Sequence, residues 1–256
     1  MYYKLNFFMK ILVCISHVPD TTSKINFTNN NSEFDKNGIQ YIINPNDEFG
    51  LTRAIWFKEK NGASVDVINV GLQDTETTLR KTLAIGADRA IRINLEPKDS
   101  SVVAKSIANY INENNYDLII AGRESIDYNG GMVPGMISAL TNINFIDKCI
   151  NIELKDGSVD ASREIDGGKE NISTRLPLII GGQKGLVEEN DLRIPNMRGI
   201  MMARKKELLV LEPKEYSQTL ETYNFEKPEP KGKVTLISSD EIEKLIDLLH
   251  NEAKAI

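Results

Sequence analysis

Ten residues, Gly122-Arg123-Glu124-Ser125-Ile126-Asp127-Tyr128-Asn129-Gly130-Gly131, stand between an apolar strand candidate at 117–121 and a helix candidate at 132–141 that carries Pro134 in its first turn. Glycines at both ends let backbone N–H groups approach phosphate oxygens, and the helix behind them presents its positive end. In an open parallel sheet such a loop lies beyond the carboxyl ends of the strands, where ligands bind. The chemistry indicated is nucleotide binding, and nothing nearby supplies a reaction. The two histidines are His17, just after the first strand candidate, and His250, in a polar tail. No Ser/His/acid or Cys/His set stands out from spacing. There is also no Walker-type Lys-Ser/Thr, no H-E-x-x-H and no paired-cysteine zinc pattern, so no metal site is expected. His17 reads as a loop residue near a ligand rather than a general base. Asp127 either hydrogen-bonds a ribose or caps a turn.

The elements that must position this loop follow a repeating pattern. Strand candidates at 10–15, 65–70, 90–93, 117–121 and 176–180 are rich in Val, Ile and Leu without clean alternation, as expected of strands covered on both faces. Between them lie helix candidates at 47–60, 75–85, 101–113 and 132–141, the second capped by Asp74 and closed by Gly86. The fold class expected is α/β, a Rossmann-like doubly wound parallel sheet. From 148 to 174 the pattern becomes alternating, with turn signals at Lys155-Asp156-Gly157-Ser158 and Asp166-Gly167-Gly168, which predicts a small antiparallel meander. It either flanks the nucleotide site or decorates the sheet edge.

After Leu209-Val210-Leu211 the core-forming pattern stops, and Pro213, Pro228 and Pro230 describe an extended arm. A capping-box spacing at Ser238-Ser239-Asp240-Glu241 then opens a helix with the apolar stripe Ile242, Leu245, Ile246, Leu248 and Leu249, expected to bury itself on another chain. The domain reading is therefore 9–211 as the nucleotide-binding unit and 212–256 as the arm. A chain of 256 residues, formal charge −6 and 41% hydrophobic content suits one compact domain with such an extension. It carries no long basic run for nucleic acid. Cys14 and Cys149 read as small core residues of a reduced, intracellular protein. The apolar opening, 1–8, is too short to span a bilayer and reads as a leader before the fold.

Several segments together resemble the beta subunit of electron transfer flavoprotein, from about residue 9 to about residue 230. They are Val18-Pro19-Asp20-Thr21, Asn44-Pro45-Asn46-Asp47-Glu48, Ala84-Ile85-Gly86-Ala87-Asp88-Arg89-Ala90, the 122–133 loop, Glu164-Ile165-Asp166-Gly167-Gly168, and Arg198-Gly199-Ile200-Met201-Met202-Ala203-Arg204-Lys205-Lys206. The resemblance implies a fold of the adenine nucleotide alpha hydrolase type. It also implies a heterodimer with an alpha subunit that holds the redox-active FAD. Such a pair shuttles electrons from flavoenzymes of the acyl-CoA dehydrogenase type, as in fatty acid beta-oxidation, to a quinone oxidoreductase or other acceptor. The beta subunit is then an electron-carrier scaffold and not an enzyme, soluble, in the bacterial cytoplasm or the mitochondrial matrix.

In that family the subunit binds AMP structurally. The matching positions are Cys14, Asn44, Pro45, Asn46, Asp47, Leu72, Gly122, Arg123, Glu124, Ser125, Ile126, Asp127, Gly130, Gly131, Met132 and Val133. Where many relatives place Asn, Gln and Thr, this chain has Gly131, Met132 and Val133, so phosphate contact falls to backbone N–H groups. The resemblance further implies a partner-recognition loop at 183–204, with Met197 as anchor beside Arg198 and Ile200. Arg193, Arg204, Lys205 and Lys206 would help steer it toward acidic partners. Glu189-Asn190-Asp191-Leu192 stands where relatives show Leu-Asn-Glu-Pro. The competing reading makes Met197, Ile200, Met201 and Met202 a helix's buried face, and it is preferred for the last three. His17, Pro19, Asp20, Thr21 and Glu164 fall where relatives meet the alpha subunit or its flavin. The arm would wrap that subunit. Alternatives are an electron-bifurcating subunit with a second FAD in the crevice, oxidising NADH, and a stand-alone adenine-nucleotide-binding regulator.

Overall fold

A computed structural model describes residues 8–155, 158–230, 232 and 234–256. The opening stretch up to residue 7 lies outside the described residues, as do Asp156 and Gly157 of the first turn signal. The elements run β1 Lys10–Cys14, β2 His17–Pro19, β3 Phe27–Thr28, β4 Glu33–Phe34, β5 Tyr41–Ile43, α1 Pro45–Asn61, β6 Ser64–Val70, α2 Glu76–Ile85 and β7 Arg89–Ile93. Then follow α3 Ser100–Glu113, β8 Leu118–Gly122, α4 Val133–Thr141, β9 Asn144–Lys155, β10 Ser158–Ile165, β11 Gly168–Thr174, β12 Leu178–Gly182, α5 Met197–Ala203, β13 Leu208–Leu211 and α6 Ile242–Asp247.

One nine-stranded sheet carries the order β11-β10-β9-β12-β8-β1-β6-β7-β13. From β12 to β13 all neighbours are parallel. Strand side chains alternate between two cores, which is why these strands read as continuous apolar runs. Ile11 and Val13 join Ile120 and the α1 and α2 residues Phe49, Leu51, Leu79 and Leu83 on one face. Leu12, Ile119 and Ile179 meet Ala104, Ile107 and Ile111 of α3 and Ile137 of α4 on the other. The chain leaves β1 toward β6 and β7 and returns on the opposite side as β8, so the topological switch point lies between β1 and β8.

The α/β doubly wound expectation holds, with corrections at particular elements. The fifth parallel strand is Leu178–Gly182 rather than 176–180, because Pro177 has no N–H to give a ladder. The meander is part of the main sheet. Its first strand begins at Asn144, pairs parallel with β12 as far as Cys149 across a register shift after Ile146, and pairs antiparallel with β10 from Cys149 to Lys155. Leu208–Leu211, the last stretch of the expected core pattern but not among the strand candidates, supplies the far edge strand beside β7. Asp74 does not cap the second helix: it lies inside a 3-10 turn, Gln73–Thr75, and α2 starts at Glu76 with no side-chain cap, while Gly86 closes it as expected. The capping box at Ser238 is not formed either. α6 begins at Ile242 behind Glu241, without a side-chain cap.

The arm is tied down along its first half. Asp99 caps α3 by accepting from Val102 N (2.7 Å), and its second oxygen accepts from Thr219 N, Thr219 Oγ1 and Leu220 N. Burial pushes the carboxyl up, but these donors outweigh it and hold it down at about 2. Further on, Phe225 stacks on Phe27 with ring centroids 4.9 Å apart, and Phe225 N donates to Asn31 O. Ile242 and Ile246 of α6 remain exposed. Among the described residues no helix is long and apolar enough to cross a membrane.

Candidate functional site

At the switch point the chain places a carboxylate. Asp47, in the first turn of α1, is 2% exposed; its Oδ2 accepts from Ser16 N (2.7 Å) beyond β1 and its Oδ1 from Gly122 N (2.9 Å) at the end of β8. One side chain thus joins the two strand ends that flank the crevice. Burial raises its carboxyl to about 7, against the lowering effect of the N–H donors. Gly122 is required by close approach: a Cβ there would stand 2.3 Å from Asp47 Oδ1 and 2.9 Å from Asn46 Cβ.

The loop beyond β8 is held from the same helix start. Asn44, fully buried, does not cap α1; its Nδ2 donates to Glu124 O (3.0 Å) and its Oδ1 accepts from Ile126 N (3.2 Å). Asn46 Nδ2 donates to the same carbonyl (3.0 Å). Pro45 fits the first helical position, where its missing N–H costs nothing. The Asn44-Pro45-Asn46-Asp47 segment is therefore a clamp on the loop.

The other residues of the sequence-derived set take different positions. Cys14 is buried at the end of β1 on the α3 face, where burial pushes its thiol up; Cys149 is likewise free and buried. Leu72 is exposed just beyond β6. Arg123 donates through Nε and Nη2 to Glu124 Oε1 (3.1 and 2.6 Å). Ser125 accepts through its carbonyl from Asn129 N (2.8 Å), and Asp127 Oδ1 accepts from Tyr128 N (2.9 Å), the turn-capping option. Gly130, Gly131 and Met132 are exposed, and Val133 half-buried, at the start of α4. That helix has no side-chain cap, and the free N–H groups of a helix's first turn carry its positive end. An anionic group suits that position. Asn44, Asn46, Asp47, Gly122 and the loop form one cluster in which the most buried members support the loop from beneath.

His17 stacks on Tyr41 (centroids 4.2 Å apart, 7° between planes) and its Nδ1 pairs with Thr78 Oγ1 (2.8 Å). Burial lowers its pKa, so the ring is neutral at pH 7. Pro19 pairs with Tyr41 across the β2–β5 ladder, and Asp20 accepts from Thr22 rather than reaching the crevice; Thr21 is exposed. Glu164, on the meander, accepts from Gln183 Nε2. Thr78 was missed as a site residue, since it lies in no glycine loop or recognisable spacing, and Gln183 was read only as the start of the recognition loop, not as a partner of the crevice loop.

The 183–204 segment ends in α5, and its side chains point away from the molecule. Met197 is 76% exposed, Met201 67%, and Ile200 and Met202 are also exposed. The buried-face reading of Ile200, Met201 and Met202 is thereby overturned; Ala203 alone of this helix is buried. Polar contacts seat α5 instead. Asn196 accepts from Gly199 N (2.8 Å), and Arg80 Nη1 donates to Ala203 O and Lys206 O (both 2.8 Å). A Cβ on Gly199 would come within 2.3 Å of Ala84 O. Two of the steering cations are engaged elsewhere: Arg193 pairs with Glu59 (2.7 Å) and Lys206 Nζ donates to Leu83 O (3.0 Å) and to Ala87 O. Arg198, Arg204 and Lys205 are exposed beside the methionines.

Residues 33–216 match the family model described as the electron transfer flavoprotein domain. Similar proteins include the electron transfer flavoprotein subunit beta of Bacillus subtilis (strain 168), 32% identical over 262 residues, covering 97% of this chain and 100% of the relative. The Dictyostelium discoideum subunit beta is 30% identical, covering 96% of this chain and 98% of the relative. That of Syntrophomonas wolfei is 30% identical with 88% coverage of each.

Proposed function

Because this chain belongs to the electron transfer flavoprotein family, we propose that it works as the beta subunit of a heterodimer, a soluble electron carrier and not itself an enzyme. In this reading FAD is held mainly by an alpha subunit. Electrons enter from dehydrogenases of the acyl-CoA dehydrogenase type and leave to a quinone oxidoreductase or other acceptor. The FAD supplies the redox chemistry, and this chain supplies architecture. Its setting is the bacterial cytoplasm or the mitochondrial matrix.

The observation that carries the proposal is the switch-point crevice. It is walled by Asp47 and Asn44, whose side chains are spent on the backbone of the surrounding loops, and it opens toward the start of α4, which has no side-chain cap. Such a site suits a nucleotide that is bound and not transformed, and AMP is the occupant proposed. Gly130, Gly131, Met132 and Val133 would receive the phosphate through backbone N–H groups. Leu72 and the 123–127 backbone would line the rest, while Cys14, Asn44, Pro45, Asn46, Asp47 and Gly122 set the shape beneath. Met197, Arg198 and Ile200 would dock the dehydrogenase. His17, Pro19, Asp20, Thr21 and Glu164 would face the alpha subunit and its flavin. Residues 9–211 form the nucleotide-binding unit of this proposal, and 212–256 the arm that reaches the alpha subunit with the exposed apolar residues of α6.

The test is acid extraction of the heterodimer purified after co-expression. Equal amounts of FAD and AMP are expected. FAD alone, in double amount, would replace this reading with the bifurcating one, and a chain that purifies with AMP and no flavin-bearing partner would leave a regulator.

A further inference from the structure

Arg123, in the crevice loop, and Glu164, on the outer hairpin of the meander, are joined through a single buried side chain. Arg123 Nη1 donates to Gln183 Oε1 (3.1 Å), and Gln183 Nε2 donates to Glu164 Oε2. Gln183 is 7% exposed and sits just past the end of β12, its backbone N–H given to Cys149 O on β9. The direction of this relay is fixed by chemistry. A guanidinium only donates, so it selects the amide oxygen, and a carboxylate only accepts, so it selects the amide nitrogen. Rotation of the amide would leave two like groups facing each other at both ends. The same guanidinium also bridges to Glu124 (2.6 Å), so in the structure as it stands Arg123 is committed to two protein acceptors. An anionic group at the α4 N-terminus would compete for it.

We propose that Gln183 is a positioning residue coupling the nucleotide crevice to the exposed Glu164 carboxylate, so that an anionic occupant drawing on Arg123 loosens Glu164, and a cationic partner surface engaging Glu164 loosens Arg123 for the occupant. The coupling is reciprocal, as any linkage between two binding equilibria must be. It rests on the reading of the crevice as a nucleotide site, but not on which nucleotide fills it.

The experiment measures AMP affinity by calorimetric titration of the nucleotide-stripped heterodimer, in the wild type, Glu164→Ala, Asp166→Ala, Gln183→Leu, and Glu164→Ala combined with Gln183→Leu. Glu164→Ala removes the acceptor that holds the amide and frees Arg123, so AMP should bind about threefold tighter or more. Asp166→Ala removes a charge from the same turn without touching the relay, and should change affinity far less. In the Gln183→Leu background Glu164→Ala should add nothing. Gln183→Met, of similar volume and with no amide to relay, should abolish the Glu164→Ala effect in the same way and serves if the leucine variant does not fold. Equal effects of Glu164→Ala and Asp166→Ala would overturn the proposal as simple charge removal, as would an undiminished Glu164 effect without Gln183. If the wild type takes up FAD in the crevice instead of AMP, the AMP reading fails alone and the same comparison is made with FAD. If it takes up neither, the coupling falls with the site.

Discussion

The crevice and the α5 surface are opposites in construction. At the crevice polar side chains are turned inward and spent on backbone groups: Asp47 on Ser16 and Gly122, Asn44 on Glu124 and Ile126. At α5 the polar contacts are made by the backbone ends and by Arg80, while the methionines are left in water. Buried polar networks are costly when broken and rigid when satisfied. An exposed flexible thioether costs the fold little and adapts to varied pockets. On the proposed function, one region would hold shape for a bound nucleotide and the other would keep apolar area free for a docking partner.

Variants that break this contrast differ in their cost to folding. Gly122→Ala forces a Cβ against Asp47 and Asn46, and should cost about 3 kcal/mol or more in denaturant unfolding, with loss of bound nucleotide. Asp47→Asn keeps the volume but turns a donor toward an N–H, for a cost of about 2 kcal/mol. Its pH dependence is a sharper check. The folded carboxyl, raised by burial to about 7, lies above the roughly 3.9 of an unfolded chain. The stability tied to Asp47 is therefore full below about pH 4, falls as pH rises to about 7, and is level above. The gap between wild type and Asp47→Asn should move against the wild type across that window; a flat gap would deny the burial effect.

Asp99→Ala removes the α3 cap and the arm's anchor together. About 1 kcal/mol of stability should go, and hydrogen exchange should speed up around Thr219 and Leu220 with the crevice unaffected. Because the folded carboxyl sits near 2, below its unfolded value, this anchor is intact at neutral pH and is lost only as pH falls from about 4 toward 2. Met197→Ala closes the series, with unfolding changed by less than about 0.5 kcal/mol. Reduction by the partner dehydrogenase should nonetheless slow about tenfold at limiting concentration, with FAD content unchanged. Unchanged electron-transfer rates would remove Met197 as the anchor.

The parallel core was legible because strands covered on both faces leave unbroken apolar runs, as in β1, β6 and β8. The loop after β8 was legible because its glycines and Pro134 carry local conformational meaning. Leu208–Leu211 was read as the end of the core pattern but not as a strand, because a short edge strand half open to solvent has no period to distinguish it from a chain leaving the core. The cap at Asp74 and the box at Ser238 failed because the residue types that cap helices also make turns, and the turns won. The inward roles of Asn44 and Asp47 were invisible for a different reason. N-P-x-D opens a helix in any protein, and only the sheet order brings β8 and its loop to that helix start. The exposure of Met201 and Met202 depends on how Arg80 and Gly199 seat α5, a contact between segments more than a hundred residues apart in the chain.

The central claim is that this chain is the architectural half of a two-chain carrier, and flavin content decides it most directly. Purified alone and after co-expression with a flavin-bearing alpha subunit, the chain should show no visible flavin absorbance by itself. In the complex it should show flavin that a donor dehydrogenase reduces. Donor-dependent flavin reduction by the chain in isolation would contradict the account.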